Sequence, residues 1–206
     1  MKKTFFITGI GTDVGKTVVS AIICEALNAD YFKPIQAGDC ENGDRKTLAG
    51  LISNKTSQIH PCRYNLTSAM SPHAAAQIDG VEINIDSIKP PQTANNIVIE
   101  GAGGLLAPLN NTQTVIDLIK PNYHVILVSR HYLGSINHTL MSLEMLKQKG
   151  INVSLVFNGN ENKDSESIIQ SMSNKAIIGR INQVNSVDKD FIKHYAQLFA
   201  NKLNTL

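Results

Sequence analysis

Residues 9–17 read Gly-Ile-Gly-Thr-Asp-Val-Gly-Lys-Thr and stand between a short apolar run and a helical pattern. A strand that turns through glycines straight into a helix commits the chain to an α/β architecture. It also has a chemical reading. The glycines let backbone N–H groups turn inward toward an anion, and the following helix offers its positive end. Lys16 can then reach β- and γ-phosphate oxygens, and the Thr17 hydroxyl can hold magnesium. The spacing departs from the usual phosphate-loop rule, which would place a glycine at residue 10. Here that position is Ile10, with Gly9 just before it and Gly11 inside the loop. The plain alternative is a tight strand–helix turn that happens to precede Lys-Thr. The strand–loop–helix context favours the phosphate loop.

The remaining chain repeats the strand–helix alternation expected of a parallel sheet with crossover helices. Strands are expected at residues 4–8, 31–35, 96–100, 124–129, 153–157 and 176–178. Residues 124–129 form an uninterrupted apolar run, as in a strand buried on both faces. Helices are expected at 15–27, 46–51, 136–149 and 187–203, with Gly150 closing the third. Residues 53–93 hold Pro61, Pro72, Pro90 and Pro91 and read as short helices and loops over one end of the sheet. The expected fold is one α/β domain over residues 1–206, with a mostly parallel central sheet flanked by helices.

Composition excludes several classes. Net charge is +2 with 17% charged residues, so no strong field favours nucleic acid or a membrane surface. No apolar run approaches a membrane span. Cys24, Cys40 and Cys62 lack metal or disulfide spacing and read as reduced thiols, which points to the cytoplasm. The six histidines show no metal-ligand spacing, and His73 is at most a substrate-channel candidate.

A second lysine, Lys33, stands beside Pro34 in the end of the strand expected at 31–35. Strand ends in such sheets face the ligand crevice, so Lys33 is a candidate second cation at the γ-phosphate. Glu100 ends an apolar strand and precedes Gly101, Ala102, Gly103 and Gly104. An acid there suits a magnesium site, and the glycines let a ligand approach the backbone. Asp44 has two open readings, a magnesium ligand or a helix N-cap.

The loop at 9–17, Lys33-Pro34, Asp44, the run Glu100-Gly-Ala-Gly-Gly104, Ser71-Pro72-His73, Gly134-Ser-Ile-Asn-His138 and Asn158 together resemble the dethiobiotin synthetase family, over residues 4 to about 182. Five residues between the loop glycines is itself a feature of that family. The resemblance implies a P-loop NTPase fold and an ATP- and magnesium-dependent ligase. Its substrates would be 7,8-diaminononanoate, CO2 and ATP. It implies nucleotide contacts from Thr12, Asp13, Val14, Gly15, Lys16, Thr17, Val18, Asp44, Glu100, Gly101, Ala102, Gly103 and Asn158, the last at the adenine edge. Magnesium would be held by Thr17, Asp44 and Glu100. Lys16 and Lys33 would be the catalytic pair. Substrate would lie against Thr12, Asp13, Lys33, Ala37, Gly103 and Gly104. Ser135, Ile136 and Asn137 would reach the fatty-acid carboxylate in the partner's site of a homodimer. By themselves, Asn158 also reads as a turn residue and Ser135 as a helix cap.

Three departures from the family pattern stand out. Ala37 replaces a Ser or Thr, Gly179-Arg-Ile-Asn182 replaces Gly-x-Ile-Pro, and the stretch after residue 182 is short. Two rival readings share the loop. A partitioning or septum-type switch ATPase usually carries an extra lysine early in the loop, and residues 10–14 have none. A related amide-forming synthase generally carries a glutaminase domain, for which 206 residues leave no room.

Overall fold

The structure is a computed structural model that describes residues 2–39 and 43–206. Cys40, read above as a reduced thiol, lies outside the described residues, as do Met1, Glu41 and Asn42. Seven strands form a parallel sheet. In chain order they are β1 (Thr4–Gly9), β2 (Asp30–Phe32), β4 (Ile59–His60), β6 (Ile97–Gly104), β7 (His124–Arg130), β8 (Val153–Asn158) and β9 (Ile177–Ile181). Their order across the sheet is β4-β2-β6-β1-β7-β8-β9. A two-stranded parallel sheet, β3 (Ile35–Ala37) with β5 (Tyr64–Leu66), stands beside it. The helices are α1 (Lys16–Leu27), α2 (Asp44–Leu51), α3 (Pro72–Ile78), α4 (Ser135–Gln148), α5 (Lys163–Ser173) and α6 (Lys189–Thr205).

Alternation along the central strands decides the layers. Phe5 and Ile7 pack on one face with Val19, Ile22 and Ile23 of α1 and Ile192 and Phe199 of α6. Phe6 packs on the other with Val115, Leu143 and Leu146. All these residues are essentially inaccessible to solvent except Leu143 and Phe199, which remain largely buried. This two-sided burial explains why the central strands read as continuous apolar runs.

Three local departures shape the site. The expected strand at 31–35 is split at Lys33-Pro34. Proline carries no N–H for a ladder, so the chain leaves the main sheet after Phe32 and pairs again as β3. Next, β1 and β6 change register between Ile7↔Glu100 and Gly9↔Gly104, so β6 carries extra residues there. Such a bulge re-aims side chains and ends regular pairing, and Gly103 within it has φ 69°. Finally, α1 begins at Lys16 after Gly15, whose φ is 98°, and no side chain caps it. Its first N–H groups are left to a ligand.

Other expectations need correction. Residues 53–93 include strands β4 and β5 in addition to α3 and a 3-10 turn. The helix α5 had no reading in the sequence. Its exposed polar residues leave Ile169 as its buried contact. The cap of α2 is Gly43, and Asp44 is its first helical residue. The cap of α4 is Gly134, with Ser135 buried inside the first turn. The cap readings of Asp44 and Ser135 therefore fail.

At the end of β2 away from the loop, Asp30 is fully buried. Its carboxylate accepts from Gln58 N–H at 3.0 Å and Asn95 Nδ2 at 2.9 Å, and meets His60 Nε2 at 2.9 Å. Burial works to raise its pKa, but these hydrogen bonds outweigh burial and hold it below the usual Asp value. A depressed carboxylate contributes stability above its unfolded pKa, about 3.9, and loses it as pH falls through the folded value. Asp30→Asn is thus expected to cost about 1.5–3 kcal/mol at neutral pH. The gap from the parent should close in strong acid. Urea unfolding across pH checks this; a gap that widens on acidification would contradict it.

Candidate active site

The carboxyl-terminal ends of β1, β2 and β6 bring the candidate groups together at the point where strand order reverses. A cavity of about 870 Å³ opens there. Thr12, Asp13, Gly15, Lys16, Thr17, Val18, Lys33, Ala37, Asp44, Glu100, Ala102, Gly103 and Gly104 all line it. Gly11, Ile35, Gln36, Thr47, Ala69, Met70, Ser71, Pro72 and Ala107 complete the wall. His73 is not among them; its ring faces Ser71 Oγ at 3.1 Å. Val14, Gly101, Asn158, Ser135, Ile136 and Asn137 do not line it either. Val14 is buried in the core, and a Cβ at Gly101 would crowd Val115 and Phe6. Asn158 Nδ2 donates to the Val14 carbonyl at 2.7 Å.

The floor of the cavity is an ionic cluster. Lys33 Nζ lies 3.0 Å from Glu100 Oε1 and 2.5 Å from Asp44 Oδ2. The Thr17 hydroxyl lies 2.8 Å from Asp44 Oδ1 and 3.0 Å from Glu100 Oε1. Lys33 and Glu100 are almost fully buried, whereas Asp44 is a third exposed. Burial alone would lower the Lys33 pKa, but Glu100 and Asp44 outweigh it and raise the pKa above the usual lysine value. Burial likewise opposes charge on Asp44, yet Lys33 and the Thr17 hydrogen bond hold its pKa low. Lys16 behaves differently. Its ammonium donates to the Gly11 carbonyl at 2.9 Å. Burial is the largest influence and lowers its pKa, with Glu100 opposing and Lys33 adding to the fall. The cavity therefore holds one cation fixed by two acids and one held only by a carbonyl.

Two residues that the motifs missed complete the cluster. Ser20 Oγ and Tyr31 Oη donate to Glu100 Oε2 at 2.8 Å and 2.9 Å, and both donors are fully buried. Burial and the Glu100 charge push the Tyr31 phenol well above its ordinary pKa, so it remains a donor. Together they occupy one carboxylate oxygen and turn Oε1 toward Thr17 and Lys33. A signal for both existed in spacing. Tyr31 lies two residues before Lys33, and Ser20 lies one helical turn after Thr17. Tyr31→Phe should cost about 1.5–3 kcal/mol of stability, as expected for a hydrogen bond to a buried charge. It should also raise the magnesium concentration needed for turnover. An unchanged denaturant midpoint and magnesium dependence would show that Ser20 alone orients Glu100.

The donor set fits magnesium. Thr17 Oγ1, Asp44 Oδ1 and Glu100 Oε1 are hard oxygen donors around one point, and magnesium prefers a few such ligands plus water and phosphate oxygens. Among the described residues there is no group of three His, Cys, Asp or Glu side chains suited to a metal.

A family model described as an AAA domain matches residues 3–190. The chain is 52% identical over 204 residues to the ATP-dependent dethiobiotin synthetase of Christiangramia forsetii, covering 98% of this chain and 99% of that protein. It is 48% identical to the enzyme of the same name from Cytophaga hutchinsonii, covering 97% and 98%. Among solved structures, a plasmid partition protein of Borrelia burgdorferi bound to AMPPNP matches with a TM-score of 0.61 at 12% identity, covering 100% and 99%. The cell division ATPase MinD of Pyrococcus furiosus matches at 0.55 and 13%, covering 98% and 100%. Those two share the P-loop fold alone. Near-complete matches at about half identity to enzymes of one name settle the lineage: the chain belongs to the ATP-dependent dethiobiotin synthetase family.

Proposed function

We propose that this chain closes a cyclic urea on 7,8-diaminononanoate, using CO2 and ATP and releasing ADP and phosphate, as an ATP-dependent dethiobiotin synthetase of biotin biosynthesis. The observation that carries the reading is Lys33, held charged between Glu100 and Asp44 at the floor of the cavity. An amine adds to CO2, loses a proton and becomes a carbamate anion. That anion must approach the γ-phosphate, itself an anion. Lys33 offsets the repulsion from one side, and Lys16, in the loop, binds the phosphates. The carbamate oxygen displaces ADP and takes the phosphoryl group. The second amine then attacks the carbonyl carbon, the C–O bond breaks, phosphate leaves and the ring closes. Magnesium, held by Thr17, Asp44 and Glu100, would neutralise charge on the phosphate oxygens. Thr12, Asp13, Ala37, Gly103 and Gly104 line the space left for the diamine. Asn158 retains one N–H and its carbonyl oxygen for the adenine edge.

The proposal extends to assembly. Leu133 is fully exposed and Tyr132 before it is exposed, next to the start of α4 at Gly134. A second copy would cover this apolar surface, and Ser135, Ile136 and Asn137 would meet the carboxylate tail of the partner's diamine. Full turnover by a species that sediments as a monomer would remove this part. Residues 1–206 act in this reading as one catalytic domain, since one sheet unites loop, lysines and acids; separately folding proteolytic fragments would contradict it. The reading extends to the cytoplasm as its location, where ATP is supplied; recovery in a membrane fraction would contradict it. No helix of the described residues is long and apolar enough to cross a membrane.

The test is product analysis. With the diamine, carbon-13 bicarbonate and magnesium-ATP, mass spectrometry should find one labelled carbon per ring and one ADP per product. ATP turnover that ignores the diamine but responds to DNA, membrane or a protein would favour the switch ATPase instead.

A further inference from the structure

Two side chains outside the cavity grip the phosphate loop. Arg130 ends β7, Asn158 ends β8, and the two are register partners in that strand pair. Arg130 Nη1 donates to the Asp13 carbonyl at 2.9 Å, and Asn158 Nδ2 donates to the Val14 carbonyl at 2.7 Å. Consecutive loop carbonyls are thus tied to adjacent strand ends. The loop is also fastened to β7 at its start, where Ile10 N–H donates to the Val128 carbonyl at 3.1 Å.

The loop has reason to need such ties. Asp13 sits at φ 54°, a left-handed conformation that a residue with a side chain rarely adopts. Gly15, at φ 98°, packs so closely under Asn158 that an added Cβ would lie 2.3 Å from Nδ2. In a trans peptide the carbonyl and the following N–H point in opposite directions. Holding the Asp13 and Val14 oxygens therefore fixes the directions of the Val14 and Gly15 N–H groups. Among the described residues the N–H groups of Thr12, Asp13, Val14 and Gly15 make no hydrogen bond. They are the donors that a phosphate would take. Arg130 is exposed and makes no contribution to the core.

We propose that Arg130, seconded by Asn158, is a positioning residue that presets the phosphate loop in its anion-accepting shape before nucleotide arrives. It acts through the Asp13 carbonyl and touches no phosphate. The inference rests on the reading that residues 9–17 bind the triphosphate.

Calorimetric titration tests it, with ADP and with inorganic tripolyphosphate, each with magnesium. Tripolyphosphate has no base or ribose and reports the loop alone. Arg130→Ala should weaken both ligands by the same factor, about tenfold. The loss should be equal at about 0.05 M and about 0.5 M salt, since a contact within the protein is not screened as a distant charge is. Arg130→Lys, which keeps a donor of similar reach, should recover most of it. The thermal midpoint without nucleotide should not move, because Arg130 lies on the surface. Unchanged affinity for both ligands would overturn the proposal. So would a loss confined to ADP, which marks a base contact, or one that vanishes at high salt, which marks attraction at a distance. Lys16→Ala serves as the control: if it binds both ligands like the parent, the phosphate-loop reading itself is at fault.

Discussion

Lys33→Ala is expected to lose at least about 100-fold in ring closure while still binding ADP. Losing one preorganised charge contact in a reacting site typically has that size. The structure adds a second effect. Lys33 is the cation directly paired with Glu100, which is almost fully buried. Removing it leaves that carboxylate with the hydrogen bonds of Thr17, Ser20 and Tyr31. Breaking a buried pair from one side costs about 3–5 kcal/mol, and the three remaining donors should keep the loss near the lower end. Rate and stability must therefore be measured together, below the variant's own melting range. Lys33→Arg retains charge but not a compact ammonium, so it should recover stability more than rate. If Lys33→Ala closes the ring at a near-normal rate, its catalytic assignment is wrong and the lysine serves only to neutralise two acids.

Lys16→Ala should behave in the opposite sense toward folding. Turnover is expected to fall on the order of 1,000-fold, with ATP affinity falling as well. Yet the nucleotide-free protein should be no less stable. The Lys16 pKa is lowered chiefly by burial. A lysine whose folded pKa lies below its unfolded value is disfavoured in its charged form by folding, so at neutral pH its charge opposes stability. Its hydrogen bond to Gly11 offsets part of that cost. The pair of variants thus separates two cations that both feel Glu100 and Asp44. One is stabilised by its surroundings and one is held in readiness for a ligand. A Lys16→Ala protein that melts well below the parent would show that the Gly11 contact holds the loop together.

The central strands and the loop were legible in the sequence because both leave local marks: two-sided burial gives unbroken apolar runs, and an anion site needs glycines before a helix. The pairing of Lys33 with Glu100 left none. It follows from β6 lying between β2 and β1, a choice made by the whole sheet. Asp44 stayed ambiguous for a related reason. A carboxylate in a first helical turn reads alike whether it serves the helix or reaches across to Thr17. The helix α5 escaped because Ile169 is its one buried residue, too little to show a period. Strands β4 and β5 escaped because two or three residues show none either. Ser20 and Tyr31 could be found once Glu100 was known to face them, since each lies on the same face of its element as a recognised site residue.

The insertion of β6 between β1 and β2 also bears on how the chain comes to be folded. Strand β1 spans Thr4–Gly9, and its neighbour β6 begins only at Ile97. During synthesis at the ribosome, Phe5, Phe6 and Ile7 must wait through roughly ninety residues for the strand that covers one of their edges. Contacts of such separation form late and slowly, because a long loop must close before they repay it. Until they form, the loop after β1 has no acid from β6 beside it. The growing chain can therefore make the local α1 turn early, but it acquires a site for magnesium and nucleotide only when the middle of the sheet closes. Ligand binding then rewards a late step of assembly rather than the first.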